Sequence, residues 1–156
     1  MPIGKLKEIL KTRHVHYTSI PHSVAYTSQE VAALTHMPGK ELAKIVMVKV
    51  DGKLTMTVLP ASYHADLEML REAIGADKVE LAKEEEFNQV FSDCEEGAMP
   101  PFGNLYGLDE YVDDSLMEDE MIAFNAGSHF ELVRMSFHDF EEIAHPKIVH
   151  FAHKDH

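Results

Sequence analysis

The chain has 156 residues, of which 45% are hydrophobic and 26% are charged, as in an ordinary globular protein of one domain. Its formal net charge of −13 at pH 7 excludes a general nucleic-acid binder, because phosphate contacts require clustered Lys and Arg. Cys94 is the single cysteine, no apolar run has the length of a membrane span, and the first residues lack the apolar core of a signal peptide. We therefore expect one domain over residues 1–156, in the cytoplasm.

The charge is unevenly distributed along the chain. Residues 1–54 hold eight Lys or Arg against four acidic residues, a net charge of +4, whereas residues 55–156 hold six against 23, a net charge of −17. A polyanionic ligand should therefore meet the N-terminal third. The alternative is an acidic surface that has no electrostatic purpose.

The N-terminal segment is predicted to form a helix, a strand and a second helix. Apolar residues at helical spacing predict an amphipathic helix over 5–13, and alternation predicts a strand over 15–20. A further helix is predicted over 27–34, where Thr27 or Ser28 supplies an N-cap.

A β-hairpin is predicted next, over 44–62. Asp51-Gly52 separates two β-rich runs and favours a type I′ turn. The first run is almost continuously apolar and the second alternates with threonines, so we expect the first strand to be buried on both faces. Lys44 opens that strand, and its ammonium must either reach water along its stem or meet a specific partner.

The rest of the chain alternates short strands and helices. Helices are predicted over 65–74, 83–91 and 137–145, and strands over 78–81, 108–112, 121–124 and 130–135. Because there is no regular βαβ rhythm, we expect an α+β domain with a mixed, mainly antiparallel sheet and flanking helices.

The segment 92–107 has neither a helical nor a strand period, and it is rich in Gly, Pro and aromatic residues. Gly97 and Gly103 permit close approach of the backbone to a ligand, so the loop could aim N–H donors at an oxygen. A structural Ω-loop is the alternative.

Two other groups are weaker candidates for a site. Cys94 lies among acidic residues, which raise a thiol pKa, so we interpret it as structural. The histidines from His145 to His156 match no zinc spacing and lie at a terminus that we expect to fray. We predict neither a metal site nor a cofactor.

Three motifs in order carry a resemblance to a known family. Residues 43–46, 97–103 and 125–129 read Ala-Lys-Ile-Val, Gly-Ala-Met-Pro-Pro-Phe-Gly and Asn-Ala-Gly-Ser-His. In this order and at these intervals they resemble the aminoacyl-tRNA deacylase family that includes YbaK, ProXp-ala and the editing insertion of bacterial prolyl-tRNA synthetases. The match runs from about Tyr26 to Ile143 and implies a single YbaK-like α+β domain.

The resemblance also implies roles for particular residues. Lys44 matches the lysine that contacts the terminal nucleotide and the carbonyl region of the substrate, and Gly97 and Pro100 match the loop whose backbone lies against the ester. The implied substrate-binding residues are Ala98, Met99, Gly127, Ser128 and His129. His129 matches the histidine of alanine-clearing members, from which YbaK departs. Ser128 and His129 are adjacent in sequence and point apart, so they cannot form a Ser-His pair.

The implied function is hydrolysis of mischarged aminoacyl-tRNA, carrying a small amino acid such as alanine on tRNA for proline. The implied partner is the acceptor end of aminoacyl-tRNA, with an aminoacyl-tRNA synthetase as a further candidate and neither a membrane nor DNA. The alternative is a binding module of the same fold that holds an amino acid or an aminoacyl end without hydrolysing it, as a regulator or a synthetase accessory.

Overall fold

The computed structural model describes residues 2–21, 41–92, 94–95, 98–128 and 131–154. The α-helices in these ranges are α1 (Pro2–Thr12), α2 (Leu67–Ile74), α3 (Glu84–Phe87) and α4 (Phe137–Ala144). The strands are β1 (Tyr17–Pro21), β2 (Ala43–Val50), β3 (Lys53–Pro60), β4 (Tyr63–Ala65), β5 (Val79–Leu81), β6 (Asp109–Asp113), β7 (Met121–Asn125), β8 (Glu131–Ser136), β9 (Lys147–Val149) and β10 (Ala152–Lys154). Among the described residues, no helix combines the length and the apolarity needed to cross a bilayer.

The strands form a five-stranded sheet and two smaller ones. The order in the large sheet is β5-β2-β3-β6-β9, with β6 and β9 parallel to β3 and the other pairs antiparallel. The strands β1, β8 and β7 form an antiparallel three-stranded sheet, and β10 pairs with β4. The predicted α+β class, with mainly antiparallel pairing and flanking helices, is confirmed.

Local sequence signals set the ends of several elements. Asp51 and Gly52 have φ angles of 50° and 83°, as a type I′ turn requires, so the predicted hairpin is confirmed. Asp66 caps α2 by accepting from the N–H of Met69, and Gly75 ends this helix in the left-handed conformation. Ser136 caps α4 in the same way as Asp66 caps α2.

The large sheet carries a hydrophobic core on each face. One cluster contains residues of both larger sheets together with α1 and α4, and its centre is the aromatic group Phe102, Phe124 and Phe140, whose ring centroids lie 5.4 to 6.5 Å apart. The other cluster joins Val48 and Leu59 to Leu70 of α2.

The first hairpin strand, β2, lies between β5 and β3 and packs on both faces, as predicted, with Met47 in one core cluster and Val48 in the other. The second strand, β3, is buried even more completely, which its alternation did not predict. In β3 every residue from Thr55 to Pro60 is buried, whereas β2 is only half-buried at several positions. The threonines can be buried because their hydroxyls have backbone acceptors: Thr57 Oγ1 donates to Val46 O at 2.5 Å, and Thr55 Oγ1 to Lys53 O at 3.1 Å.

Three further predictions concern two helices and the C-terminal segment. The helix predicted over 83–91 is only the four-residue α3, which has no fully buried residue and packs on the core through Phe87 alone. Contrary to the expectation of fraying, the described C-terminal residues up to Lys154 form strands, since β9 and β10 pair with β6 and β4. The helix predicted over 27–34 lies outside the described residues.

Asp113 anchors this C-terminal segment. Its side chain is fully buried, and Oδ1 accepts from the N–H groups of Phe151 at 2.9 Å and Ala152 at 2.8 Å. Oδ2 accepts from the backbone N–H and the hydroxyl of Ser115. The carboxylate therefore holds the C-terminal strand against β6, a long-range contact that the spacing of the histidines could not reveal.

Glu110 is a second buried carboxyl of β6, and only one of its two oxygens has a hydrogen-bond partner among the described residues. The residue is 5% exposed, and Oε1 accepts from the N–H of Gly103 at 2.7 Å. Oε2 is buried and has no hydrogen-bond partner among the described residues. Burial raises the pKa of Glu110 to about 8, and the Gly103 N–H opposes this shift only in part.

The raised pKa of Glu110 predicts a pH-dependent stability. The folded protein holds this proton up to pH about 8, whereas the unfolded chain releases it above the ordinary value of 4.5. The contribution of the Glu110 proton to the free energy of unfolding is therefore complete below the pKa of the unfolded chain. It is lost as the pH rises from there through the folded pKa, at about 1.4 kcal/mol per pH unit within this window. Glu110→Gln cannot release a proton. We expect its free energy of unfolding to match wild type near pH 4.5 and to exceed it increasingly up to pH 8, as measured by urea denaturation.

A matched control for this prediction is Glu85→Gln, which changes an exposed carboxyl. That variant should follow the wild-type pH profile. A stability difference between Glu110→Gln and wild type that stays constant across the pH range would contradict the role of Glu110.

Candidate functional site

Lys44 lines a small cavity where three segments meet. It is the second residue of β2, is half-buried, and pairs with Leu59 of β3. The cavity has a volume of about 160 Å³, and its walls are residues 43–45 of β2, Met99 and Pro101 of the glycine-rich loop, and residues 124–125 at the end of β7. Lys44 is the only charged residue of this lining within the described part of the chain.

A contact between the two larger sheets explains why these segments meet. Leu42 and Ala123 form an isolated parallel bridge, and the N–H of Ala123 donates to Glu41 O at 3.1 Å. Two residues further along each parallel segment come Lys44 and Asn125. The bridge therefore brings the start of β2 to the end of β7, and the two side chains share one cavity.

Two of the three sequence motifs are joined by backbone hydrogen bonds. The N–H of Gly127 donates to Ala98 O at 2.8 Å, and the N–H of Glu95 donates to Gly127 O at 2.9 Å. Gly127 has φ 97°, a conformation that other residues rarely adopt. The glycine is thus used to bind the loop after β7 to the loop before Pro100.

The loop before β6 is packed and not open. Ala98 is fully buried, Met99 is 9% exposed, and Pro100 and Pro101 are also buried. The following residues form a short 3-10 helix, Gly103–Tyr106. The described part of this segment is therefore held in place at both of its ends, by Gly127 and by the core.

Of the remaining predicted site residues, some lie within the described residues and others do not. Ser128 is half-buried and directly follows the Gly127 turn. Gly97 and His129 lie outside the described residues. Their roles, like those of the other predicted site residues, stay predictions.

Sequence reasoning named Asn125 within a motif but gave it no role. Its Oδ1 is buried and accepts no hydrogen bond from the described residues, and Asn125 lines the cavity together with Lys44. Buried side-chain oxygens without partners are rare in folded proteins. The one signal in the sequence is an amide at the end of an apolar strand, directly before a glycine turn.

A second cavity lies on the other side of Met99. It has a volume of about 180 Å³ and is lined by Phe87, Asn88, Phe91, Ser92, Cys94, Glu95 and Met99. Cys94 Sγ is 3.4 Å from the hydroxyl of Tyr106, whose ring packs on Phe91 with centroids 4.5 Å apart. Cys94 is thus part of an aromatic cluster, in agreement with a structural interpretation.

One C-terminal histidine lies near two carboxylates. His150 Nδ1 is 2.9 Å from Asp114 Oδ1 and 4.0 Å from Asp113 Oδ1, and the hydrogen bond with Asp114 raises the pKa of His150. Both oxygens of Asp113 already accept hydrogen bonds from the protein. This cluster is therefore best explained as part of the anchor of the C-terminal strand.

The chain resembles known proteins in sequence and in fold. Residues 22–143 match the family model of the aminoacyl-tRNA editing domain. Over 75 residues the chain is 29% identical to proline--tRNA ligase of Bacillus mycoides strain KBAB4, an alignment that covers 48% of this chain and 13% of the ligase. The chain thus spans a small part of that relative's length.

Solved structures share the fold over nearly the whole chain. The hypothetical protein APE2540 superimposes with a TM-score of 0.84 and 20% identity, covering 96% of this chain and 99% of the other. A protein described as a proposed trans-editing enzyme for prolyl tRNA synthetase superimposes with a TM-score of 0.79 and 18% identity, covering 99% and 98%. Since the family model matches most of the chain, the resemblance found in the sequence is confirmed, and the protein belongs to the aminoacyl-tRNA editing domain family.

Proposed function

We propose that the protein is a trans-editing hydrolase that deacylates mischarged aminoacyl-tRNA in the cytoplasm. The observation that carries this proposal is the shared cavity, which gathers Lys44, the Met99 loop and the end of β7 in a chain of the editing-domain family. One relative is named as a proline--tRNA ligase, and one structural neighbour is described as an editing enzyme for prolyl tRNA synthetase. These two similarities support tRNA for proline as the substrate.

The size of the cavity favours a small acyl group. Its volume is about 160 Å³. A protein cavity of about 150 Å³ holds a molecule as large as benzene. Apart from Lys44 and Asn125 the walls are apolar, so the acyl side chain of alanine can be enclosed while its ester reaches the polar groups. We assign His129 to the shaping of this pocket, following the family resemblance.

The chemistry of the reaction makes modest demands on the protein. An aminoacyl ester is already activated, so its hydrolysis needs a positioned nucleophile and stabilisation of the oxyanion. We assign the positioning of the carbonyl or phosphate oxygen to the ammonium of Lys44, and further oxyanion contacts to N–H groups of the loop around Gly97 and Pro100. The nucleophile is a water molecule or a ribose hydroxyl of the substrate. Ala98, Met99, Gly127 and Ser128 complete the binding surface.

The proposal predicts that Lys44→Ala loses most deacylation. Removal of a charge that acts on the developing oxyanion raises a barrier by about 2–4 kcal/mol. Single-turnover hydrolysis of alanyl-tRNA for proline measures this loss. Wild-type turnover by the variant would refute the assignment.

Lys49→Ala is the matched control. Lys49 is five residues further along β2, so its side chain is on the opposite face, where it forms an ion pair with Glu86 at 3.1 Å. We expect unchanged deacylation and a stability loss below about 1 kcal/mol. Equal losses of activity in both lysine variants would indicate damage to the strand and not the loss of a catalytic charge.

A second prediction concerns the junction of the two loops. Because Gly127 has φ 97°, Gly127→Ala introduces backbone strain of about 1–3 kcal/mol and disturbs the hydrogen bonds with Ala98 and Glu95. Deacylation should fall together with the free energy of unfolding. Gly52→Ala has comparable strain at φ 83° in the hairpin turn, where an added Cβ meets nothing within 4 Å. This control should lose stability and keep its activity per folded molecule, and the same retention in Gly127→Ala would contradict a role for the junction.

A third prediction locates the tRNA. Lys7 of α1 forms an ion pair with Glu131 at 2.8 Å, which places the basic helix beside the segment that follows Gly127. Lys11 and Arg13 are exposed in the same region. Replacing both with Glu should weaken tRNA binding. It should also make the slope of log affinity against log salt concentration shallower, by about 0.7–0.9 for each phosphate that the variant no longer neutralises.

The matched control reverses two exposed lysines at the hairpin end of the large sheet, Lys53 and Lys78, and so changes the net charge by the same amount. Binding measured over a salt series should stay close to wild type in this control. An equal reduction of affinity in both double variants would show that net charge, and not the position of α1, governs association.

A further inference from the structure

An open groove lies at the end of β7 that is distant from the Lys44 cavity. Met121 begins this strand and lines the groove, whereas Asn125 ends the strand and lines the cavity, so about 13 Å of strand separates the two. The groove has a volume of about 440 Å³, more than twice that of either cavity described above. Its walls are the segment from Met117 to Met121 and the start of α4.

Backbone contacts hold the two walls of the groove together. Met121 pairs with Ser136 in the ladder between β7 and β8. The N–H of Phe137, the first residue of α4, donates to Glu120 O at 2.8 Å. The groove is therefore already formed when a partner arrives, and binding there does not require the chain to order a loop first.

Part of the groove surface is apolar. Met117 is 51% exposed, and the half-buried Met121 and the nearly buried Phe137 line the same groove. A loose loop does not explain the exposure of Met117, because Ser115 is buried and bonded through its N–H and hydroxyl to Asp113. Exposed apolar surface with a polar rim is typical of a protein interaction site, and methionine side chains adapt well to a partner.

The rim of the groove is acidic. Asp119, Glu120 and Glu141 line it, and no described Lys or Arg lines the groove or forms an ion pair with any of these three carboxylates. His138 is the one lining residue of the described chain that can become cationic, and its Nε2 is 3.2 Å from Glu142 Oε1. The field at the groove therefore repels phosphate and attracts cationic groups.

We propose that this groove docks a basic segment of a partner protein. Apolar side chains of the segment bind Met117 and Met121, and its Lys or Arg side chains pair with the three carboxylates of the rim. The basic helix α1 of a second copy does not fit this description, because Leu6 and Leu10 on its apolar face are fully buried in their own chain. The proposal does not rest on the proposed function, and a partner held here leaves the Lys44 cavity open.

The test uses three short fluorescein-labelled peptides with the full chain. The first combines lysines with leucines, the second has glutamates in place of the lysines, and the third has serines in place of the leucines. By fluorescence anisotropy we expect the first to bind more tightly than the other two. In the triple variant Met117→Ser, Glu120→Gln, Glu141→Gln, its affinity should fall about tenfold, because one apolar contact and two ion pairs are lost.

A matched control variant removes one exposed apolar side chain and two exposed carboxylates outside the groove. It is Leu81→Ser, Glu72→Gln, Glu85→Gln, in which Leu81 is 63% exposed in the wild type. Its net charge equals that of the groove variant, and we expect it to keep the wild-type affinity for the lysine-leucine peptide. Equal weakening in both variants would show that net charge alone attracts the peptide, and would overturn the proposal.

A second measurement locates the peptide on the wild-type chain and so does not depend on the folding of a variant. In ¹H–¹⁵N spectra the lysine-leucine peptide should shift the amide signals of residues 117–121 and 137–141. Absence of binding, shifts confined to other segments, equal binding of the serine peptide, or a dimer in sedimentation that depends on Met117 would each overturn the proposal. Peptide binding at the groove without any deacylation upholds the docking surface and refutes the hydrolase alone.

Discussion

The parallel bridge between Leu42 and Ala123 is the contact on which the rest of the site depends. The two larger sheets have separate strand orders, and among the described residues this bridge and the bond from Ala123 N–H to Glu41 O bring one strand of each side by side. The guanidinium of Arg134 in β8 adds an ion pair with the side chain of Glu41. Because both segments run in the same direction, the residues that follow on each stay side by side. The register therefore delivers a lysine from the hairpin and an amide from β7 to one cavity, and the packed loop containing Met99 closes it.

Of four buried polar side chains in this fold, three reduce the free-energy cost of burial, in two different ways. Thr57 and Asp113 are fully buried because backbone atoms complete their hydrogen bonds. Glu110 has one bond too few and reduces the cost by holding its proton, as its raised pKa shows. Asn125 has neither solution, since an amide does not titrate and no described residue donates to its oxygen. The oxygen of Asn125 therefore keeps the cost of an unsatisfied buried acceptor.

Local chemistry predicted much of the fold. The turn at Asp51-Gly52 depends on neighbouring residues alone, so the sequence could predict it and the structure has it. The caps at Asp66 and Ser136 are equally local interactions. The sequence did not predict how completely β3 is buried, because its alternating threonines are typical of a solvent-exposed face. Their hydroxyls donate to nearby backbone carbonyls instead. Pairing of β9 and β10 depends on Asp113, which is more than thirty positions away along the chain. For the site, ordered motifs identified the segments, but only tertiary packing could show that Asn125 Oδ1 has no partner among the described residues.

The acidity of the chain affects how such a site can select its substrate. With a net charge of −17 beyond residue 54, that part of the chain disfavours contacts with phosphate, so the tRNA substrate proposed above would gain little affinity from its backbone there. Weak backbone binding leaves discrimination to contacts with the acyl group. A small apolar pocket supplies only about 1–3 kcal/mol per methylene, which separates acyl side chains poorly. A buried polar contact penalises a ligand that cannot complete it much more strongly. A site that requires a ligand to complete a buried polar contact is therefore better suited to discrimination than an apolar pocket alone.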